Sequence, residues 1–445
     1  MGILKVNTFK QLFLNNKDNK SGFYYASNKE VHFINYSDFW TMMEDYPTKE
    51  ANSVGIFCNQ SLDTLIAIFA HANKKTQIVL LDSNNEEEVL KKQILATDVD
   101  LLLGDEDLCE SLTPYLDPQE KGEEGNILFF TSGTTSSSKA VILTEASLCA
   151  SAYNGALLLP LDKNDILLSI LPLNHVFGFV CSLLWGVISG ASVALTRGQR
   201  FFFEDFTFYH PTAVSLVPQM AEFLTKKNLF NSELKKALVG AGDCSPSILE
   251  EIKAKGIDVH FGYGLTETSS GIGLSLGENP SLMTPVKAAN IKIAEDGEIL
   301  VHAPSLLMRG FYQDEVKTES VIKDGYFYTG DLGVMDENGL LKILGRKKEV
   351  YVLKDGLKIF LPEFEGELKE FLKTDLAVLQ DENKQLILAL ERPIIDIDYK
   401  LELFNVKHAR SSRIQKYFIL NKPLPRTRTG KVKRYAIEIP KKLGE

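Results

Sequence analysis

Strand-like apolar runs alternate with helical patterns along the first part of the chain, and that alternation constrains the fold more than any other feature. Ser53-Val-Gly-Ile-Phe-Cys, a helical apolar pattern through Leu65-Ile-Ala-Ile-Phe-Ala, and Gln77-Ile-Val-Leu-Leu-Asp read as strand, helix, strand. Further β-rich runs stand at Val99-Asp-Leu-Leu-Leu, Asn126-Ile-Leu-Phe-Phe, Ile166-Leu-Leu-Ser-Ile-Leu and Ala213-Val-Ser-Leu-Val, with helical patterns between them. This predicts an α/β fold with largely parallel strands. After Asn290 short strands with polar turns take over, at Ile291-Lys-Ile-Ala, Ile299-Leu-Val and Leu340-Leu-Lys-Ile-Leu, and predict an antiparallel, hairpin-rich region. A small mixed α+β unit follows, with a helix near Pro362–Lys373 and a strand near Gln385–Leu390. The expected domains are 1–346, layered α/β subdomains plus the antiparallel region, and 347–445. No internal repeat and no low-complexity linker stands out.

Charge supports that boundary. The whole chain carries −10, but residues 347–445 hold 21 Lys/Arg against 15 Asp/Glu, a net +6, leaving −16 on residues 1–346. An acidic chain argues against a nucleic-acid coat protein. The basic residues crowd toward the end, in Lys422-Pro-Leu-Pro-Arg426-Thr-Arg428-Thr-Gly-Lys431-Val-Lys433-Arg434, which is either a solvated face or a phosphate contact. At 445 residues, with 44% hydrophobic content, the chain has core enough for about two to four units. Five scattered cysteines without a C-x-x-C fit a reducing, cytoplasmic setting. The first residues show no apolar signal core, and Val6 breaks the myristoylation pattern. Val176 to Thr196 is 21 residues without a charge, close to the ~20 that would span a bilayer. Gly178, Gly186 and Gly190 punctuate it, so it reads as a buried helix followed by a strand.

Five segments carry chemistry. Leu128-Phe-Phe-Thr131-Ser132-Gly133-Thr134-Thr135-Ser136-Ser137-Ser138-Lys139 runs an apolar strand into a hydroxyl-rich loop with one glycine and one lysine. Backbone N–H groups, hydroxyls and a cation there could meet anionic oxygens; the alternative is a plain linker. It is not a Walker A loop, which needs a glycine before the lysine and Ser or Thr after it. Phe261-Gly-Tyr263-Gly264-Leu-Thr266-Glu267-Thr268 offers a ring to stack on a base and a carboxylate to hold Mg²⁺, or else a capped turn. Tyr328-Thr-Gly330-Asp331-Leu-Gly333 sets a carboxylate between glycines, suited to a ribose diol or to an ordinary turn. Gly345-Arg346-Lys347-Lys348 and Pro425-Arg-Thr-Arg-Thr-Gly430-Lys431 supply cations at the boundary and the chain end.

In this order and at these separations the segments closely resemble the adenylate-forming superfamily of acyl-CoA synthetases, peptide-synthetase adenylation domains and luciferases, from about Ser53 to Arg434. The resemblance implies a two-step ligase. Carboxylate and ATP give acyl-adenylate and pyrophosphate, and a thiol then takes the acyl group as AMP leaves. It implies ATP, Mg²⁺ and CoA, and a mobile C-terminal domain. Thr131, Ser132, Gly133, Thr134, Thr135 and Lys139 match the phosphate loop. Gly240, Ala241 and Gly242 match the adenine-side loop, and Tyr263 with Gly264 the stacking ring. Thr266 and Glu267 match the α-phosphate and magnesium positions, and Asp331 and Arg346 the ribose contacts. Lys431 matches the lysine bridging carboxylate and α-phosphate, Lys348 the hinge, and Gly356 a glycine of the pantetheine tunnel.

The chain departs from the family pattern at Ser136, Ser138 and Ala140, where glycine or proline is usual, and at Glu145, where histidine is frequent. It is also short ahead of the phosphate loop. Leu171-Pro-Leu-Asn174-His175-Val176-Phe177-Gly178 resembles the acyl-CoA synthetase form, with His175 either beside the substrate carboxylate or a satisfied core histidine. No aspartate follows Phe177 to pair with an α-ammonium, so an amino acid is disfavoured. Val176, Phe177 and Gly178 as pocket lining point to a fatty or aromatic acid. The thiol is expected to be CoA, with an acyl-carrier pantetheine as alternative; a non-catalytic nucleotide- or acyl-binding homologue is the competing class.

Overall fold

A computed structural model describes residues 3–16, 20–27, 29–131, 139–242, 244–426 and 432–440. The unit expected after Ser53 is strand Ser53–Phe57, helix Leu62–Asn73 and strand Gln77–Leu81. Ser61 caps the helix, its hydroxyl accepting the Thr64 N–H, one of the donors a helix start leaves open. The two strands pair in parallel, Ser53 opposite Gln77 through Phe57 opposite Leu81. Val54, Ile56, Ile78 and Leu80 face one core and Phe57, Val79 and Leu81 another. Burial on both faces is why these strands are unbroken apolar runs. Six strands make this sheet, in the order Gly310–Phe311, Ala140–Thr144, Asn126–Phe130, Gln77–Leu81, Ser53–Phe57, Leu101–Leu103.

The second sheet is larger and changes character midway. From the edge hairpin Gly22–Ser27 and Glu30–Asn35 it passes through parallel strands Ser192–Leu195, Ile166–Ser169, Ala213–Leu216, Lys236–Val239 and Asp258–Leu265. It then turns antiparallel through Ser270–Leu274, Leu282–Pro285, Leu341–Arg346, Tyr326–Met335, Glu298–His302 and Asn290–Ile293. The hairpin region expected after Asn290 is therefore hydrogen-bonded to the parallel sheet rather than set apart from it. Asp258–Leu265 is the junction, parallel to Lys236–Val239 and antiparallel to Ser270–Leu274.

The charge-free stretch from Val176 lies between the sheets as helix Val176–Phe179, a π-helical turn Val180–Leu184, helix Trp185–Ile188 and strand Ser192–Leu195. Among the described residues no helix is long and apolar enough to cross a membrane. Phe179 stands 5.7 Å from Phe129 of the first sheet, 6.3 Å from Phe69 and 6.0 Å from Phe9, ring centre to ring centre. Phe13, on the same helix as Phe9 (Phe9–Leu14), reaches Phe23 of the second sheet at 6.3 Å. The N-terminal helix thus packs into a core shared by residues of both sheets. Glu145 holds it: the buried carboxylate accepts the Phe9 N–H at 2.9 Å and pairs with Lys75 at 2.7 Å. That departure from the family pattern has a structural role.

Past Arg346 the chain builds its own core. Leu376 and Val378 pack with helices Leu361–Leu372 and Ile397–Asn405 on one face of a three-stranded sheet. Ala377 and Leu379 pack with Leu424 and Ile437 on the other. In the basic tail, Arg434 pairs with buried Glu365 at 2.7 Å and Arg426 with Asp375 at 3.1 Å. Those two charges belong to the fold of this unit.

Glu145→Ala strands the Phe9 N–H and Lys75, and is expected to lower stability by about 1–3 kcal/mol in urea unfolding. Phe179→Ala, which empties the contact between the sheets, should cost about 3–5 kcal/mol.

Candidate functional site

Parallel strands of both sheets end at one cleft, the usual place for a crevice in an open α/β sheet. Asn126–Phe130 ends at Thr131, whose N–H donates to the Lys139 carbonyl at 3.0 Å and closes the neck of the hydroxyl-rich loop. Lys236–Val239 runs into Gly240-Ala241-Gly242, and Asp258–Leu265 into the turn Thr266–Thr268. The cleft has a volume of about 2530 Å³. Thr131, Lys139, Ala241, Gly242, Tyr263, Gly264, Thr266 and Glu267 line it, as do Asp331, Arg346 and Lys348. His175, Val176, Phe177 and Gly178 line an adjoining stretch of the same cavity.

Two glycines are there because backbones touch. A Cβ on Gly264 would stand 1.8 Å from the Ser270 carbonyl oxygen, and one on Gly178 2.1 Å from that of Pro172. No side chain fits either position without moving main chain. The first contact lets the Tyr263 strand fold back on itself at a bulge between Tyr263 and Gly264. The second seats the helix carrying Val176 and Phe177 on the segment before His175.

Asp331 organises one wall of the cleft. It is buried, takes the Tyr263 hydroxyl on Oδ2 at 2.7 Å and faces the Arg346 Nε on Oδ1 at 2.8 Å. Strand register puts Asp331 directly opposite Arg346. Arg346 also donates to the Thr329 carbonyl at 3.2 Å. Burial and then the Asp331 charge raise the Tyr263 phenol well above its usual range, so it stays a donor. The ring is thereby tethered at its hydroxyl.

Glu267 sits in the one-turn helix after the junction strand, its carbonyl accepting the Met308 N–H at 2.8 Å. Burial raises its carboxyl above the ordinary value. Such a group gains most from a cation brought to it. Among the described residues no group of three metal-ligating side chains could hold a metal alone, whereas one carboxylate sharing a cation with phosphate oxygens suits Mg²⁺. Lys139 is pushed the other way: burial lowers its pKa, and Lys317 and Lys348 lower it further against the opposing pull of Asp314 and Glu267.

Some expected residues stand elsewhere. Gly240 is behind the wall, against the Phe177 ring. Gly356 turns the hairpin between strands Val350–Val352 and Lys358–Phe360 and is not part of the cleft lining. Ser132, Gly133, Thr134, Thr135 and Lys431 lie outside the described residues. The structure also adds residues that carried no signal in the sequence. Ser151, Cys181 and Ser270 line the cleft among apolar neighbours, with Cys181 Sγ 3.4 Å from the Ser270 hydroxyl. Lys317 lines it from a short, evenly charged helix, where one lysine cannot be told from surface.

Because its folded-state pKa is raised, Glu267 favours the folded state below its unfolded pKa and loses that contribution as pH rises through the folded value. Glu267→Gln is therefore expected to melt higher than the unaltered protein at pH 7.5, by a degree or more. The gap should close as pH falls toward the ordinary carboxylate range, which calorimetry across that interval reads directly.

The AMP-binding enzyme family model matches residues 113–312. A 2-succinylbenzoate–CoA ligase of Listeria monocytogenes is 27% identical over 429 residues, covering 91% of this chain and 87% of that one. The ligase of the same name from Bacillus subtilis is 30% identical over 332 residues, covering 70% and 66%. Among solved structures, the o-succinylbenzoate CoA synthetase of Bacillus subtilis in complex with ATP and magnesium ion superposes with a TM-score of 0.80 at 22% identity, covering 96% of this chain and 98% of that one. With that fold, these motifs and a cleft that gathers them, the chain belongs to the adenylate-forming superfamily of AMP-binding enzymes, in its acyl-CoA ligase class.

Proposed function

We propose that the protein activates an aromatic acid with ATP and transfers the acyl group to CoA, with 2-succinylbenzoate as the leading acid. The observation that carries this is the continuity of the cleft. A tethered ring, a diol acceptor, a cation-seeking carboxylate and Lys139 on one stretch adjoin an apolar pocket on the next. In this proposal Tyr263 stacks on adenine, Asp331 and Arg346 hold the ribose, and Thr131 and Lys139, with Ser132, Gly133, Thr134 and Thr135, take the phosphates. Glu267 would hold magnesium, which when bound would supply positive charge to the phosphates. Thr266 faces the α-phosphate and His175 the acid carboxylate, with Val176, Phe177 and Gly178 against the acid. Lys431 neutralises the charge developing between them. Residues 1–346 and 347–445 act as two units, with Lys348 as hinge and Gly356 in the thiol tunnel after rotation.

The relatives support CoA as acceptor and an aromatic acid over a fatty one, since each is named for 2-succinylbenzoate and CoA. One feature of the pocket favours a second reading. 2-Succinylbenzoate has two carboxylates, and only one is activated. The lining supplied by helix Glu145–Leu158 and the turn through Val180–Trp185 offers hydroxyl and thiol groups but no lysine or arginine. A second carboxylate there would meet no cation, which suits an aryl monocarboxylic acid instead.

Pyrophosphate release from ATP and Mg²⁺ tests both, over a panel of 2-succinylbenzoate, aryl monocarboxylic acids and fatty acids, with and without CoA. Acid-dependent release with aryl-CoA and AMP as final products is expected. No release across the panel would remove the enzymatic proposal, and adenylate without thioester would remove CoA as acceptor. Lys431→Ala should slow adenylate formation by about 100-fold or more while largely sparing thioester formation from supplied acyl-adenylate; equal loss of both steps would contradict its role.

A further inference from the structure

Lys139, Lys317 and Lys348 line the same cleft from three different segments, and none has a carboxylate ion-pair partner among the described residues. Lys347, next to Lys348 in the chain, is by contrast held by Asp296 and Glu298. Unpaired cations gathered on a cleft wall repel one another, and the Lys139 ammonium feels Lys317 more than any other charge. Asp314 and Glu267 offset that repulsion only in part, since the Lys139 pKa is still lowered.

The position of Lys317 relative to Lys139 is set by main chain. Strand Ala140–Thr144, which starts immediately after Lys139, pairs with Gly310–Phe311, Gly310 opposite Ile142 and Phe311 opposite Val141. The Tyr312 N–H donates to the Ala140 carbonyl at 2.9 Å. Asp314 then caps helix Glu315–Val321 by accepting the Lys317 N–H, and the Thr318 hydroxyl accepts the Phe311 N–H at 2.9 Å. The Lys139 ammonium lies over the Phe311 ring, 5.2 Å from its centre. One rigid ladder thus holds both lysines beside the neck of the phosphate-loop segment.

We propose that Lys317 is a positioning residue for the β- and γ-phosphates of ATP and for the pyrophosphate that leaves. This rests on ATP being the nucleotide and not on which acid or thiol is used. During adenylation a carboxylate oxygen forms a bond to the α-phosphorus, the bond from that phosphorus to the bridging oxygen breaks, and the electron pair leaves on pyrophosphate. Lys317 donates no proton. It shares the terminal charge with Lys139, so a polyphosphate lying between the two cations relieves repulsion that Asp314 and Glu267 offset in part. AMP, lacking those phosphates, gains nothing from Lys317.

Calorimetric titration of ATP, AMP and inorganic pyrophosphate into the full-length protein, Lys317→Gln and Lys317→Arg tests this without any acid or thiol. The Gln variant should bind ATP and pyrophosphate about tenfold more weakly, the scale of one charge-assisted phosphate contact, with AMP affinity within about twofold. The Arg variant should restore most of the loss. Freed of a neighbouring cation, Lys139 should titrate higher in the Gln variant, so weakening of ATP binding at alkaline pH should begin at a higher pH than in the unaltered protein. Equal weakening of ATP and AMP, or unchanged ATP and pyrophosphate affinity, would overturn the proposal. Absence of thioester product in the acid panel would not affect it, which keeps the two failures distinct.

Discussion

Asp331 and Arg346 face each other across one rung of an antiparallel ladder, and one wall of the cleft depends on that rung. The carboxylate is buried, so it needs a fixed cation. Strand pairing supplies one without a loop having to find it. The same carboxylate takes the Tyr263 hydroxyl from the neighbouring part of the sheet, so the ring, the carboxylate and the guanidinium form one hydrogen-bonded unit drawn from three strands. A one-residue slip between Tyr326–Met335 and Leu341–Arg346 would turn Asp331 and Arg346 to opposite faces. The Arg346 contact to the Thr329 carbonyl and the Thr329 hydroxyl bond to Ile299 oppose such a slip.

The junction strand explains why this unit meets the rest of the site. Asp258–Leu265 belongs to the parallel half through one edge and to the antiparallel half through the other. Its carboxyl end must therefore open where loops of the parallel strands gather, and its return strand must start abruptly. Ser269 and Ser270 both adopt positive φ, at 52° and 94°, to make that start. Such backbone is unfavourable for side-chain-bearing residues. Burial of Glu267 is a second local cost in the same turn. Both lower stability in the free protein; a cation brought to Glu267 would offset the second.

The acidic and basic halves of the chain also acquire a physical meaning. Lys347, next to Lys348, is held by Asp296 and Glu298 at 2.6 and 2.8 Å, and Lys358 reaches the Asp296 carbonyl at 3.2 Å. The charge asymmetry is thus expressed as contacts between Asp296, in the turn before strand Glu298–His302, and Glu298 at the start of that strand, and the start of the basic stretch. Arg426 and Arg434, by contrast, are spent inside the C-terminal unit. Their partners Asp375 and Glu365 lie in the same unit, so its net +6 is unchanged, but those two guanidinium groups are engaged within its fold.

Much of the fold was legible in the sequence because burial on both faces leaves a plain mark. The strands from Ser53, Gln77, Asn126, Ile166 and Ala213 stand where apolar runs stand, and the charge-free stretch from Val176 resolved into helix and strand for the same reason. Local motifs likewise picked out Tyr263, Glu267, Asp331 and Arg346, which all line the cleft, since glycines mark the places where backbones touch. The sequence by itself determined the fold class, the chemical types at the cleft and their order along the chain. Only the tertiary structure decided that the antiparallel region continues the parallel sheet, that Asp331 tethers Tyr263, that Glu145 anchors the N-terminal helix, and that Lys317 stands with Lys139. The reason is physical: composition and periodicity record what each residue buries, whereas strand register and sheet order set which distant residues meet, and a lysine on an exposed short helix looks the same in sequence whether it faces water or a cleft.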